Sequence, residues 1–212
     1  MFVGISLTPL SEDAVMRVPV RVVGAAALAL AFAGPAHAME WRLGLSYASG
    51  VSDVADLYED NLRLDGREAN VDLKFPLGIA ASFTYDWTTA WRTDVGVGPV
   101  FAIGGDVRHL EVPLSVTMGY NFLPYSRYSP YVRAGVIHHF ASGDQYDSST
   151  PGLFLAAGVD FTHFTLELAT DQSKVKFDRL FCPAGGSCTL GTTELNTYDV
   201  IASFYWRFRL NR

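Results

Sequence analysis

The stretch HLEVPLSVTMGYNF, residues 109–122, alternates from end to end. Leu110, Val112, Leu114, Val116, Met118, Tyr120 and Phe122 take the even positions, while Glu111, Pro113, Ser115, Thr117, Gly119 and Asn121 take the odd ones. A period of two places the two sets on opposite faces of a pleated strand. What the apolar face meets decides the fold. In a soluble sheet it meets a protein core; in a membrane barrel it meets lipid, and the polar face lines the inside.

The pattern recurs seven more times. Strands are expected at 41–48, 77–87, 91–103, 131–140, 153–161, 164–171 and 198–210, each with apolar residues on one parity and small or polar ones on the other. The third of them, Trp91 to Ile103, sets Arg92, Asp94, Gly96 and Gly98 on its polar face. Connections after odd strands are mostly long and polar, at 50–69, 104–108, 141–151 and 172–196, whereas those after even strands are short, at 88–90, 123–130 and 162–163. Long loops on one rim and short turns on the other mark a barrel of the bacterial outer membrane. The expected fold is therefore all-β, an eight-stranded antiparallel transmembrane up-and-down barrel.

Composition agrees with that class and excludes another. The 212 residues are 49% hydrophobic and 18% charged, with a formal charge of −6. Nucleic-acid binding needs clustered Lys and Arg to neutralise phosphates, and no such cluster is present. The polar faces are mostly Gly, Ser, Thr and Ala rather than the Lys and Glu of a water-facing surface.

The first residues read as an export signal. Met16-Arg17-Val18-Pro19-Val20-Arg21 supplies a basic segment, Val22 to Phe32 an apolar run too short to span a bilayer as a helix, and Ala36-His37-Ala38 a small-residue cleavage site. Cleavage after Ala38 leaves 39–212 as the barrel. Residues 1–15 fit no part of such a signal, so Met16 is the expected start of translation. The two cysteines, Cys182 and Cys188, flank a short loop in an exported chain and are expected to form a disulfide.

Aromatic residues gather at one end of the strands. With even strands running toward the periplasm, Trp41, Tyr85, Trp87, Trp91, Tyr120, Phe122, Phe161, Phe164, Trp206 and Phe208 fall near one rim, as in the aromatic girdle of a membrane barrel. Strand parity turns Arg42, Asp86, Arg92, Asp94, Arg133, Asp160, Glu167 and Arg207 inward. Charges of both signs in a narrow interior are expected to pair, closing the barrel with a belt of salt bridges.

The alternating C-terminal strand and "SPYVRAGV" (129–136) resemble the small eight-stranded outer-membrane barrels grouped with the transmembrane domain of OmpA and with OmpX. That resemblance implies a barrel of the Gram-negative outer membrane with exposed loops, a role in envelope integrity, adhesion or host contact, and no catalytic residue. Expected partners are outer-membrane lipids and lipopolysaccharide, with a surface ligand or host partner at loops 50–69 and 172–196, and a monomer is expected.

Two alternatives stand beside this non-enzymatic reading. His139 faces inward near Ser115 and Glu111, residue types that could build a lipid A hydrolase, although the H-x-S motif of such barrels is absent. A narrow ion or small-solute channel is the other, against the expectation that eight strands leave an interior filled by side chains. No cofactor or metal is expected; "DVADLYEDNLRLDG" lacks the ligand spacing of an EF-hand, and 50–69 is expected to be a solvated loop. Pro113 removes a ladder N–H where a closed barrel has no edge, so a bulge or local unpairing is expected there.

Overall fold

In the computed structural model the described residues are 38–64, 66, 71–72, 77–143, 145–181, 187–196 and 200–209. The expected cleavage region up to His37 and the residue Cys182 lie outside them. Eight strands form the wall: β1 (Ala38–Ala48), β3 (Leu77–Asp86), β4 (Trp91–Gly105), β5 (His109–Asn121), β6 (Ser129–Gly143), β8 (Gly152–Asp160), β9 (Phe164–Asp171) and β12 (Val200–Arg209). Each pairs antiparallel with its neighbours, and β1 pairs with both β3 and β12, so the sheet closes on itself. No edge is left in the barrel wall.

Parity decides the two faces as the alternation requires, and the polar face is the buried one. Arg42, Ser46, Ser82, Thr84, Asp94, Thr117, Glu167 and Ser203 are buried, while Leu43, Leu45, Val116, Met118, Val136, Leu155, Leu166 and Leu168 are exposed. Ile79 and Leu168 each expose 62% of their surface. A soluble protein hides such residues; here a continuous apolar band faces outward, the arrangement that lipid stabilises.

Three local features refine or depart from the reading of the sequence. The first is the irregularity expected at Pro113: Val112 and Pro113 have no partner in β4, where the break takes the form of a bulge. Ladder pairs run from Trp91↔Tyr120 to Val97↔Leu114 and resume at Phe101↔Glu111, so three residues of β4 stand opposite two of β5. Gly98, at φ +106°, supplies a backbone conformation that L side chains rarely adopt, and a Cβ there would lie 2.6 Å from the Ile79 carbonyl oxygen. The extra residue reverses parity above it. Arg92, Asp94 and Gly96 point inward below the bulge, but Phe101 and Ile103 point inward above it, not outward as uninterrupted alternation implies. On the other side of Pro113 the β5–β6 ladder is continuous, with Pro113 opposite His139.

The second correction concerns 51–64, which the sequence placed in a solvated loop. Residues Val51–Leu64 form an α-helix, α1, with Val54, Ala55, Leu57, Tyr58 and Leu62 buried. Spacings of three and four put these residues on one stripe. Gly66, at φ +74°, donates its N–H to the Arg63 carbonyl in the left-handed turn that ends the helix.

The third is 172–196, which contains a hairpin. Strands β10 (Lys174–Phe181) and β11 (Thr189–Asn196) pair with each other, and β10 also pairs with β7 (Tyr146–Thr150), giving a three-stranded sheet beyond the long-loop rim. A two-residue strand, β2 (Val71–Asp72), pairs with the far end of β4. Val175 and Phe177 of β10 are fully buried with Tyr58, Leu57, Ile103 and Val107 in one apolar cluster. Helix α1 thus packs its apolar face into a cap.

Candidate functional site

The lumen is built in layers, each from residues that share an inward parity. At the short-turn end three guanidinium groups meet three carboxylates. Arg42 lies 2.7 Å from Glu40 and 3.2 Å from Asp160, and Arg92 lies 2.7 Å from Asp160 and 3.2 Å from Asp94. Arg207 lies 2.7 Å from Glu40. Thr84 donates to Asp94 at 2.6 Å and Thr165 donates to Asp160 at 2.7 Å. Arg92 also sits 3.8 Å from the centre of the Tyr131 ring. Taking such charges out of water costs several kcal/mol each unless they are paired, and all six are; Arg92 Nε and Nη2 and Asp94 Oδ2 nonetheless make no hydrogen bond among the described residues.

One layer higher, Arg133 grips Glu167 through two hydrogen bonds of 2.6 and 2.7 Å. Tyr131 donates to the same carboxylate at 2.6 Å and Arg133 donates to Thr117 at 3.2 Å. Above them comes an apolar cluster of Phe101, Ile137, Phe154, Ala156, Ala169 and Ile201, joined by Ala48 and by Val51 at the start of α1. A void of about 10 Å³ lies between the Arg133–Glu167 pair and this cluster, bounded on the wall side by Val97 and Gly98. That is room for about one water.

Beside the apolar cluster runs a polar chain toward the cap. Glu111 bonds both His139 and, at 3.2 Å, His109; His139 bonds Asp171 at 2.5 Å; and Asp171 accepts from the Ser173 hydroxyl at 2.8 Å. The Tyr58 hydroxyl of α1 meets His109 Nδ1 at 3.1 Å, tying the helix to the barrel. Outside the barrel, Lys176 and Lys174 flank Glu194 at 3.2 and 3.3 Å and hold its carboxyl below the usual range.

The sequence candidates can now be placed. Arg42, Arg92, Asp94, Asp160 and Arg207 share the lowest cluster, and Arg133 and Glu167 form the pair above it. Asp86 stands on the same inward face at the rim but takes part in no ion pair among the described residues. Glu40, Tyr131, Thr84 and Thr165 were not anticipated, although Glu40 shares the parity of Arg42 two residues on. Of the hydrolase candidates, Glu111 and His139 are in contact, while Ser115 pairs with Ile137 and joins neither. Both ring nitrogens of His139 are occupied by carboxylates, which leaves no serine hydroxyl for it to activate. Among the described residues no group of three His, Cys, Asp or Glu side chains is set to hold a metal ion.

The expected girdle residues ring the short-turn end. Trp91 lies edge-on to Tyr120 at 5.0 Å, Phe161 stacks on Phe164 at 4.3 Å, and Trp41 tilts against Phe83 at 4.9 Å. Trp87, Phe122, Trp206 and Phe208 are exposed, while Tyr85 is buried edge-on to Trp87 at 5.0 Å.

No protein-family model and no curated protein matches the chain. Among solved structures, the chain is similar to the outer membrane protein OprG from Pseudomonas aeruginosa, with a TM-score of 0.52 and 14% identity over 82% of this chain and 96% of that one. The fold is that of an outer-membrane β-barrel. A second structure, the outer membrane protein AlkL in lipid bilayers, aligns with a TM-score of 0.43 and 12% identity over 82% of this chain and 90% of that one. What OprG supports is the eight-stranded barrel, the feature held in common with the OmpA and OmpX group; membership of that group is not what the likeness carries.

Proposed function

We propose that this protein spans the outer membrane and, without being an enzyme, passes small apolar molecules from the outer end of its lumen sideways into the bilayer. The observation that carries this reading is the break in the β4–β5 ladder between Val97 and Phe101, placed level with the apolar cluster and against the void. Straight passage of water or ions is opposed by the two ion-paired layers beneath. An apolar solute in the outer half of the lumen therefore meets a charged floor below and a wall that lacks ladder hydrogen bonds beside it. Val112 and Pro113 pair with no residue of β4, and Pro113 has no N–H to give, so separating the strands there breaks fewer ladder hydrogen bonds than in the continuous runs on either side.

The cap gives the route an outer closure. Helix α1 buries its apolar stripe on the barrel mouth, so 50–69 is better suited to admit or exclude a solute than to display a binding surface. The sheet of β7, β10 and β11 is then the part that offers a surface to lipopolysaccharide or to a partner outside the cell. The test is uptake of a fluorescent apolar probe by cells carrying the protein with V97C and L114C, the paired residues at the lower lip of the break. Uptake should fall to the level of cells without the barrel when the cysteines are oxidised and return on reduction. Equal uptake in both states would favour a purely structural barrel.

A further inference from the structure

At the short-turn end the lumen opens into a bowl of about 400 Å³, within the roughly 300–1,000 Å³ of small-molecule sites. Its two sides differ in chemistry. On the arc from β3 to β6 stand three acceptor groups, the Asp86 carboxylate, the Asn121 amide oxygen and the Ser129 hydroxyl, together with one guanidinium, that of Arg127, which lies 6.0 Å from the centre of the Tyr128 ring. Asn121 Oδ1 and Ser129 Oγ are buried without a hydrogen-bond partner among the described residues, and Ser129 as a whole is only 9% exposed. The Asp86 carboxylate is neutralised by no ion pair among the described residues. Buried polar atoms left unmatched are costly, and their presence on one wall of a cavity points to a donor that arrives from outside.

The opposite side carries Arg207 and Arg209 beside the Glu40 and Asp160 carboxylates. Arg207 is spent on Glu40 through two hydrogen bonds, of 2.8 and 2.7 Å. Arg209 reaches the same carboxylate through one nitrogen at 3.3 Å, with 57% of its side chain exposed. A guanidinium has five N–H donors, so most of those on Arg209 are available to an incoming acceptor.

We propose that this bowl binds a small zwitterion, a free amino acid or short peptide, with its ammonium on Asp86, Asn121 and Ser129 and its carboxylate on Arg209. Three acceptors match the three N–H donors of an ammonium. A simple anion meets Asp86, and a simple cation leaves Arg209 unmatched, so neither satisfies both sides. The site is separated from the apolar cluster by both ion-paired layers and does not depend on the sideways route.

The probe is alanyl-alanine, titrated calorimetrically into the protein in lipid nanodiscs, where both ends of the barrel are open to solution, alongside its N-acetylated and C-amidated forms. The zwitterion should bind saturably. Each blocked form, and the zwitterion with either D86N or R209Q, should bind at least about tenfold more weakly, equivalent to about 1.4 kcal/mol. D86N touches no ion pair among the described residues, and R209Q gives up only the long, solvent-exposed contact to Glu40, which keeps Arg42 and Arg207; both variants should keep the folded barrel's migration on unboiled gels. Absence of saturable binding by alanyl-alanine, or equal binding of all three peptides, overturns the proposal.

Discussion

Asp160 is the carboxylate on which the lowest layer turns, and replacing it with Asn removes one charge at nearly constant volume. Its Oδ2 faces Arg92 at 2.7 Å, Arg42 at 3.2 Å and Arg207 at 3.6 Å, and its Oδ1 accepts from Thr165. The wild-type layer balances Arg42, Arg92 and Arg207 against Glu40, Asp94 and Asp160. D160N leaves one buried positive charge uncompensated. Removing one partner from a buried ion pair costs about 3–5 kcal/mol, a large part of the ~5–15 kcal/mol that holds a typical domain together. Urea titration of the barrel in lipid vesicles, followed by fluorescence of its four tryptophans, reads this loss as a lower midpoint. Adding R92M to D160N restores neutrality and should recover more than half of it. A loss under about 1 kcal/mol for D160N, well below the range for a broken buried pair, or no recovery in the double variant, would refute the claim that charge balance closes the floor.

Other outcomes follow from the same geometry. Leu168→Arg places a charge on the lipid face and should destabilise the barrel by roughly 2–4 kcal/mol in vesicle unfolding, whereas a soluble protein tolerates a charge at so exposed a position. Tyr58→Ala removes a fully buried ring that meets Phe177 edge-on and bonds His109; it should cost about 3–5 kcal/mol of cap stability and make 50–64 sensitive to protease while the heat-modifiable gel shift persists. His139→Ala should destabilise the barrel by a similar margin, because Glu111 and Asp171 lose the group between them. Incubation of the purified protein with lipopolysaccharide should leave every acyl chain in place by mass spectrometry. Intact mass of the exported protein should match a chain starting at Met39, with no alkylation of Cys182 or Cys188 until reductant is added.

The wall of the barrel was legible in the sequence because lipid and lumen impose opposite chemistry on alternate residues, as in 109–122. Errors arose where a single residue resets that rule. Gly98 and Pro99 sit in a run that still alternates, yet the added residue turns Phe101 and Ile103 into the lumen; the twin signs were a glycine followed by proline, opposite Pro113. The helix at 51–64 was visible in Val54, Leu57, Tyr58 and Leu62, whose spacing of three and four outweighs the acidic residues between them. Those acidic residues lie on the solvent side of α1 and made the segment look like a polar loop. In 172–196 the alternation of Val175 and Phe177 was short and bracketed by charge, and its burial depends on α1, a contact distant in sequence. The ionic layers were partly legible, because parity alone gathers Arg42, Arg92, Asp94 and Asp160. Which carboxylate meets which guanidinium depends on the stagger between strands, and parity does not contain it.

The central claim is that the apolar face of each strand meets lipid and the polar face a closed lumen. A spin-label scan of 109–122 in vesicles tests it most directly, one cysteine at a time in a background lacking Cys182 and Cys188, with oxygen as the lipid-soluble relaxant and a nickel chelate as the water-soluble one. The even positions from Leu110 to Met118 should be open to oxygen and closed to the chelate, and the odd positions from Glu111 to Thr117 shielded from both. Even positions that respond to the chelate, or a profile without the period of two, would contradict the account.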